Sequence, residues 1–263
     1  MKRTAWFWSL LGFTVLAAAF LVVPVVLSVL AGLTTNYFIG LSSGLTLQWV
    51  IKVWTEYQGP IWLSLWLALG CLLLTLLLGV PAAYVLARRQ GTVARTLEEM
   101  MMLPVALPGL ATALALIVAY GAVGGFRSHW SFILVGHVLF TLPFMVRAVL
   151  AVMNSIDMRS LEEGARSLGA SFCQRFFGVV LPNCLPGIMA GSLMVVTLSI
   201  GEFNMTLLLH TPFTPTLPVG LADAYASLRI EVGSAYTVIF FVMIVPLLIA
   251  LQWVGRIPQG KSR

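Results

Sequence analysis

Few residues in this chain are placed where they could do chemistry. Glu202 is the one carboxylate deep within an apolar run. An ionisable group so placed usually faces a bundle interior or a water-filled cavity and marks a pathway. Glu202, with Asn204 and Thr206 as weaker partners, is therefore the candidate lining of a translocation path. The alternative is a structural carboxylate bonded to Arg147, His137 or backbone. His129, His137 and His210 lack helical metal-ligand spacing, and His137 is expected to be hydrogen-bonded between helices. Cys71, Cys173 and Cys184 show no C-x-x-C spacing and suggest neither a disulfide framework nor a metal site. No Ser/His/Asp or Cys/His pair can be argued to meet, so no catalytic residue and no metal site is expected. Gly255-Arg-Ile-Pro-Gln-Gly260-Lys261-Ser262 matches the G-x-x-x-x-G-K-[ST] nucleotide motif letter for letter. A phosphate loop must follow a strand and open a helix. This stretch follows an apolar run instead and reads as a basic tail.

The composition says what kind of scaffold carries these residues. Of 263 residues, 60% are hydrophobic and 9% are charged, against about 25% charged in ordinary globular chains. Apolar runs longer than about 18 residues recur, which marks an all-α, polytopic membrane protein. The net charge of +6 is spread over short segments between those runs. That pattern orients a membrane protein and gives no reason to expect nucleic-acid binding.

Six spans are expected: Trp6 to about Leu33, Ile61 to Ala87, Met101–Tyr120, Ser131 to Met153, Pro186 to Leu209, and Val232–Val254. Ala17-Ala18-Ala19 could pass for a signal-peptidase site, but the run continues far past it, so an uncleaved helix is expected. Pro104 and Pro108 should make the third span irregular or kinked. Between the first two spans, Leu47–Tyr57 is amphipathic, and Trp49, Trp54 and Tyr57 suit a membrane interface. The organisation is thus residues 1–59 as a first span plus amphipathic segment, 60–252 as a five-span core, and 253–263 as a basic tail. Six spans put both termini on one side, with Lys2, Arg3, Arg88, Arg89, Arg95, Arg159, Arg166, Arg175, Arg256, Lys261 and Arg263. The other side carries Lys52, Arg127 and Arg229. Eleven against three places the termini in the cytoplasm. Arg147 is near enough to a span end to snorkel. Gly187 and Gly191 form a G-x-x-x-G, read as close helix packing.

The longest hydrophilic segment is 154–182. Ser160 with Glu163, and Ser171 with Gln174, are two capping boxes. Gly169 lies between them, where a left-handed residue would end the first helix. Leu161, Ala165 and Leu168 recur at i, i+4 and i+7 and give that helix one apolar face. Two short helices meeting at a bend, with an apolar stripe, are expected to form a docking element for a soluble partner, the alternative being a solvated inter-helix loop.

Glu163-Gly164-Ala165, Gly169 and Val179-Val180-Leu181-Pro182 resemble, in spacing throughout, the E-A-A…G…I-x-L-P loop of binding-protein-dependent ABC importer permeases. Gly164 stands where that family usually has Ala, which lowers helix propensity by about 1 kcal/mol, and Val179 stands where it often has Ile. The resemblance covers roughly Pro60 to Gln252. It implies a type I importer permease fold in a bacterial inner membrane, with Leu161, Glu162, Glu163, Gly164, Ala165, Leu168, Gly169, Leu181 and Pro182 forming the coupling loop. It implies, as partners, an ABC ATPase dimer that uses ATP and Mg, a second permease subunit, a periplasmic solute-binding protein and membrane lipid. The chain itself would bind no cofactor and hydrolyse nothing. The segment Ser199-Ile-Gly-Glu-Phe-Asn204 resembles the family's path-lining G-E-F. The resemblance is strongest to permeases for polyamines, 2-aminoethylphosphonate, ferric iron and thiamine. The expected cargo is 2-aminoethylphosphonate or a polyamine, with ferric iron, thiamine or an oxyanion as alternatives. A proton-coupled secondary transporter with Glu202 as carrier, and a membrane enzyme using the tail motif, are the competing classes.

Overall fold

A computed structural model describes residues 5–89 and 91–256. The helices are α1 (Ala5–Gly32), α2 (Gln48–Glu56), α3 (Gln58–Arg88), α4 (Thr92–Met101), α5 (Leu103–Ala106), α6 (Gly109–Tyr120), α7 (Trp130–Ser155), α8 (Met158–Ser167), α9 (Phe172–Arg175), α10 (Leu181–Ile200), α11 (Asn204–Leu209), α12 (Leu217–Ala226) and α13 (Ile230–Arg256). Among the described residues, five helical stretches are long and apolar enough to span a membrane, and a sixth if the bent pair α4–α5 and α6 counts as one. The tail motif from residue 257 onward, with Lys2, Arg3, Lys261 and Arg263, lies outside the described residues.

The third span is broken, as its prolines predict: its halves meet at 103°, and it begins at Thr92 rather than Met101. Leu107 is extended and Pro108 caps α6; a residue before proline is driven out of the helical region, so the chain turns there. The fifth span starts at Phe172 rather than Pro186. α9 runs into a π-helical segment, Phe176–Val180, and then into α10 without a break. The wider π turn lies just ahead of Leu181-Pro182, where a tight α turn would meet the proline ring. That span also ends early, at Ile200, and α11 is a separate helix.

The chain divides into two compact units. In the first, residues 5–58 join 220–242. Gly32 of α1 packs on the backbone of Ser234, where a Cβ would fall 2.6 Å from a carbonyl carbon. An antiparallel bridge joins Thr34 to Leu45, and the Trp49 indole N–H donates to the Thr34 carbonyl at 3.0 Å. α2 forms as its amphipathic pattern requires, burying Val53. None of the most apolar stretch of α1 is buried.

The second unit, the described residues of 59–219 and 243–256, holds the larger core. Leu67 and Cys71 of α3, Leu116 of α6, Phe132, Met145 and Val149 of α7, Val195 of α10 and Met205 of α11 pack together. α7 and α10 approach closely because Gly187 and Gly191 face Ala148, Val149 and Met145. A Cβ at Gly187 would lie 2.6 Å from the Ala148 carbonyl oxygen. The G-x-x-x-G thus has the expected packing role.

Candidate functional site

The segment joining α7 to α10 is two helical arms and a left-handed bend. α8 starts at Asp157, whose side chain accepts from the Ser160 N–H at 3.2 Å and the Ser160 hydroxyl at 2.6 Å. These bonds hold the Asp157 carboxyl below its usual range. The expected Ser160–Glu163 capping box does not form. Ser160 already lies in the first turn of α8, and Glu163 accepts from Arg159 at 2.9 Å instead. The second box forms as expected, with Ser171 and Gln174 each bonding the other's backbone. Between the arms, Gly169 has φ +84°. Its N–H donates to the Arg166 carbonyl at 2.9 Å, and that of Ala170 to the Ala165 carbonyl at 3.1 Å. This paired closure is the Schellman arrangement, which favours glycine at the left-handed position.

The stripe read from the sequence faces outward. Leu161 and Leu168 are 46% and 90% exposed, while Met158 and Glu162 form the buried face of α8, with Ala165 partly buried. Glu163 and Gly164 are exposed, and Leu181 and Pro182 lie in the first turn of α10. Glu162 is only 3% exposed. Its Oε1 accepts from the Tyr84 hydroxyl at 2.9 Å. Its Oε2 accepts from Arg88 Nε at 2.9 Å and also from Arg88 Nη2. The Arg88 guanidinium lies 4.7 Å from the Tyr84 ring centroid. A buried carboxylate is tolerable when paired and hydrogen-bonded in this way. Tyr84 also stands edge-on to Phe172 and Phe176, at 6.1 and 5.3 Å between centroids. Sequence reasoning missed Tyr84 and Arg88 as site residues. It read Arg88 as an orienting charge at a span end, and no periodicity links residues 74 positions apart.

The second candidate site is the break after α10. Glu202 follows the terminal Gly201 and caps α11. Its Oε1 accepts from the Met205 N–H at 2.9 Å, and its Oε2 from the Thr206 N–H and hydroxyl, each at 2.8 Å. Of the structural partners weighed from sequence, backbone is the one found. Arg147 instead faces Glu98 at 3.7 Å. Thr206 is fully buried and Asn204 is exposed. His137 Nε2 lies 2.8 Å from the Thr206 hydroxyl, and His137 Nδ1 lies 2.8 Å from the Ser199 hydroxyl. The Thr206 hydroxyl has one hydrogen and donates it to Glu202, so it accepts from His137 Nε2–H. A neutral His137 then accepts from Ser199 at Nδ1. The donors run in one direction, from Ser199 through His137 and Thr206 to Glu202. At the other end of α11, Arg127 donates to the Leu208 and Leu209 carbonyls at 2.8 and 2.7 Å. No three His, Cys, Asp or Glu side chains among the described residues could together hold a metal ion.

Comparison with known proteins agrees with this architecture. Residues 76–259 match the family described as binding-protein-dependent transport system inner membrane component. The chain is 29% identical over 236 residues to the molybdenum transport system permease protein of Mycobacterium tuberculosis, covering 81% of this chain and 85% of that protein. It is 27% identical over 253 residues to the putative 2-aminoethylphosphonate transport system permease protein of Salmonella choleraesuis, covering 92% and 94%. A chain of the MetNI methionine ABC transporter, in an inward-facing form, has the same fold at 20% identity and a TM-score of 0.61, with 81% of this chain and 99% of that chain covered. Spanning helices, a shaped polar loop and a family match over most of its length lead to one assignment: the chain belongs to the binding-protein-dependent transport system inner membrane component family, the multi-pass permease subunits of ABC importers.

Proposed function

We propose that this permease forms half of a translocation pathway, pairs with an identical or related permease, and docks on a pair of ATPase subunits through residues 154–182. One observation carries the docking role. Leu161 and Leu168 stand exposed on a short helix whose ends are fixed by Asp157 and by the Gly169 closure. Exposed apolar side chains on a braced polar loop suit a protein partner. ATP and Mg belong to that partner, and this chain has no part in hydrolysis. A periplasmic binding protein delivers the solute, and the docking loop and both termini lie in the cytoplasm, as the charge asymmetry supports. Closure of the ATPase pair moves the docked loops and tilts the spans between inward-open and outward-open states. Family membership supports this reading over the proton-coupled and tail-enzyme ones.

For the cargo, we infer a small solute with a tetrahedral oxyanion centre, 2-aminoethylphosphonate among them, in preference to a polyamine. The two relatives are named for molybdenum, which is an oxyanion in neutral water, and for a phosphonate. A free carboxylate in the path would favour a cation, but both oxygens of Glu202 are engaged by α11. The test is uptake of labelled molybdate, 2-aminoethylphosphonate and spermidine by proteoliposomes holding the permease, its ATPase and its binding protein. ATP-dependent uptake of an oxyanion or phosphonate is expected. Spermidine uptake would refute the cargo, and uptake driven by a pH gradient without the ATPase would refute the importer role.

A further inference from the structure

We propose that Tyr84 and Arg88 are positioning residues of the docking loop, clamping Glu162 so that α8 moves as one piece with the end of α3. This rests on the docking role proposed above. Chain connectivity ties α8 to α7 through Ile156-Asp157 and to α9 and α10 through residues 168–171. Nothing in the connectivity ties it to α3. The Glu162 bonds supply that tie. Oε1 is held by the Tyr84 hydroxyl, and Oε2 by two nitrogens of Arg88.

The geometry makes the clamp directional. The carboxylate is sealed at 3% exposure, while the Arg88 side chain is 47% exposed. Glu162 therefore cannot turn away from α3 without giving up all its donors, whereas Arg88 keeps contact with water. Adjacent helix residues are 100° apart about the axis. Fixing the azimuth of Glu162 thus fixes that of Leu161, which must point outward. Tyr84 adds a second hold through Phe172 and Phe176, on the far side of the Gly169 bend. One turn of α3 thus grips both arms of the loop. A displacement applied at Leu161 and Leu168 reaches α3 as well as α7 and α10.

The experiment measures the loop's position directly. Cysteines at Gly164, where a side chain meets nothing within 4 Å, and at the exposed Val85 are spin-labelled in a full-length chain lacking Cys71, Cys173 and Cys184. Their distance distribution is read in lipid nanodiscs, with no ATPase present. The parent should give one narrow distribution. Arg88→Gln and Glu162→Ala should broaden it, Tyr84→Phe less so. The exchanged pair, Arg88→Glu with Glu162→Arg, should narrow it again. Unchanged widths in Arg88→Gln and Glu162→Ala would overturn the clamp, and so would broadening that the exchange does not reverse, since that is general loss of structure. In the complex with the ATPase, Arg88→Gln should lose binding-protein stimulation of ATP hydrolysis. Intact stimulation would overturn the positioning role. A parent chain that binds no ATPase refutes the docking reading instead, and the distances, read without the ATPase, still test the clamp.

Discussion

Glu202 and Arg127 hold opposite ends of the same six-residue helix. The carboxylate meets two N–H groups at the start of α11, and the guanidinium meets two carbonyls at its end. Each charge sits where the helix's partial charges attract it. A helix this short is not stable on its own, so the two side chains fasten it from outside. Glu202→Gln leaves one oxygen for two N–H groups on separate oxygens. It should cost about 1–3 kcal/mol, the penalty for a buried group left unpaired. Arg127→Met should destabilise by a similar route. Melting of the purified permease in detergent checks both; unchanged melting in Glu202→Gln would mean the caps contribute little.

Gly169 gives a prediction about shape. Its φ of +84° lies in the left-handed region, where a side chain costs about 1–2 kcal/mol and a β-branched one more. Gly169→Val should abolish uptake while the protein remains in the membrane. Gly169→Asn should retain much of it, because asparagine tolerates that conformation. Equal uptake by both variants would show that the bend does not set the loop's function.

Two glycines should answer oppositely to alanine. Gly187→Ala drives a methyl to 2.6 Å from the Ala148 carbonyl oxygen and should destabilise by about 1–3 kcal/mol, as overpacking does. Gly164→Ala meets nothing within 4 Å and should stabilise α8 by up to about 1 kcal/mol. Thermal melting of the two variants side by side tests the contrast.

The asymmetry of basic residues predicts sidedness. Single cysteines at Ser167 and Ser128, both exposed, should label from opposite faces of the membrane, Ser167 from the cytoplasm. Labelling of both from one face would overturn the span count.

Asp157 predicts a local response to acid. Its carboxyl is held low by Ser160, so its capping is fully present above the pH where an unfolded aspartate titrates, about 3.9. It is lost as pH falls through the lower folded value. Amide exchange at the start of α8 should therefore be flat from neutral pH down to about 5, after correction for intrinsic rates, and rise below about 4. Asp157→Ala should show the faster exchange at every pH.

What could be read from the sequence divides along the range of the interactions. Hydropathy marks the spans because each is one continuous run, and the Gly169 bend and the Ser171–Gln174 box are local. The Ser160–Glu163 box failed because Asp157 lies three residues before Ser160 and competes as the cap. Both pairings fit the same short pattern, and only backbone geometry chooses between them. Glu202 looked like a mid-span charge because Gly201 and Phe203 do not announce a break, and its partners become acceptable only once the helix stops. The Glu162 clamp was beyond reach altogether. Its partners are on α3, and burial of an acid beside exposed leucines inverts the usual reading of an amphipathic helix.

The position of Glu162 has a consequence for protein engineering. Residues 154–182 look like a cassette, with their own caps and their own bend. Yet one buried group in that cassette is satisfied only from outside it, by Tyr84 and Arg88. A synthetic peptide of the loop would present Glu162 to water and lose the orientation of Leu161. A chimera that transplants the loop into another permease would bury an unpaired acid unless the host carries the same tyrosine and arginine four residues apart at the end of its own third helix. The smallest transferable piece is therefore discontinuous, a loop together with one helical turn that precedes it by some seventy residues.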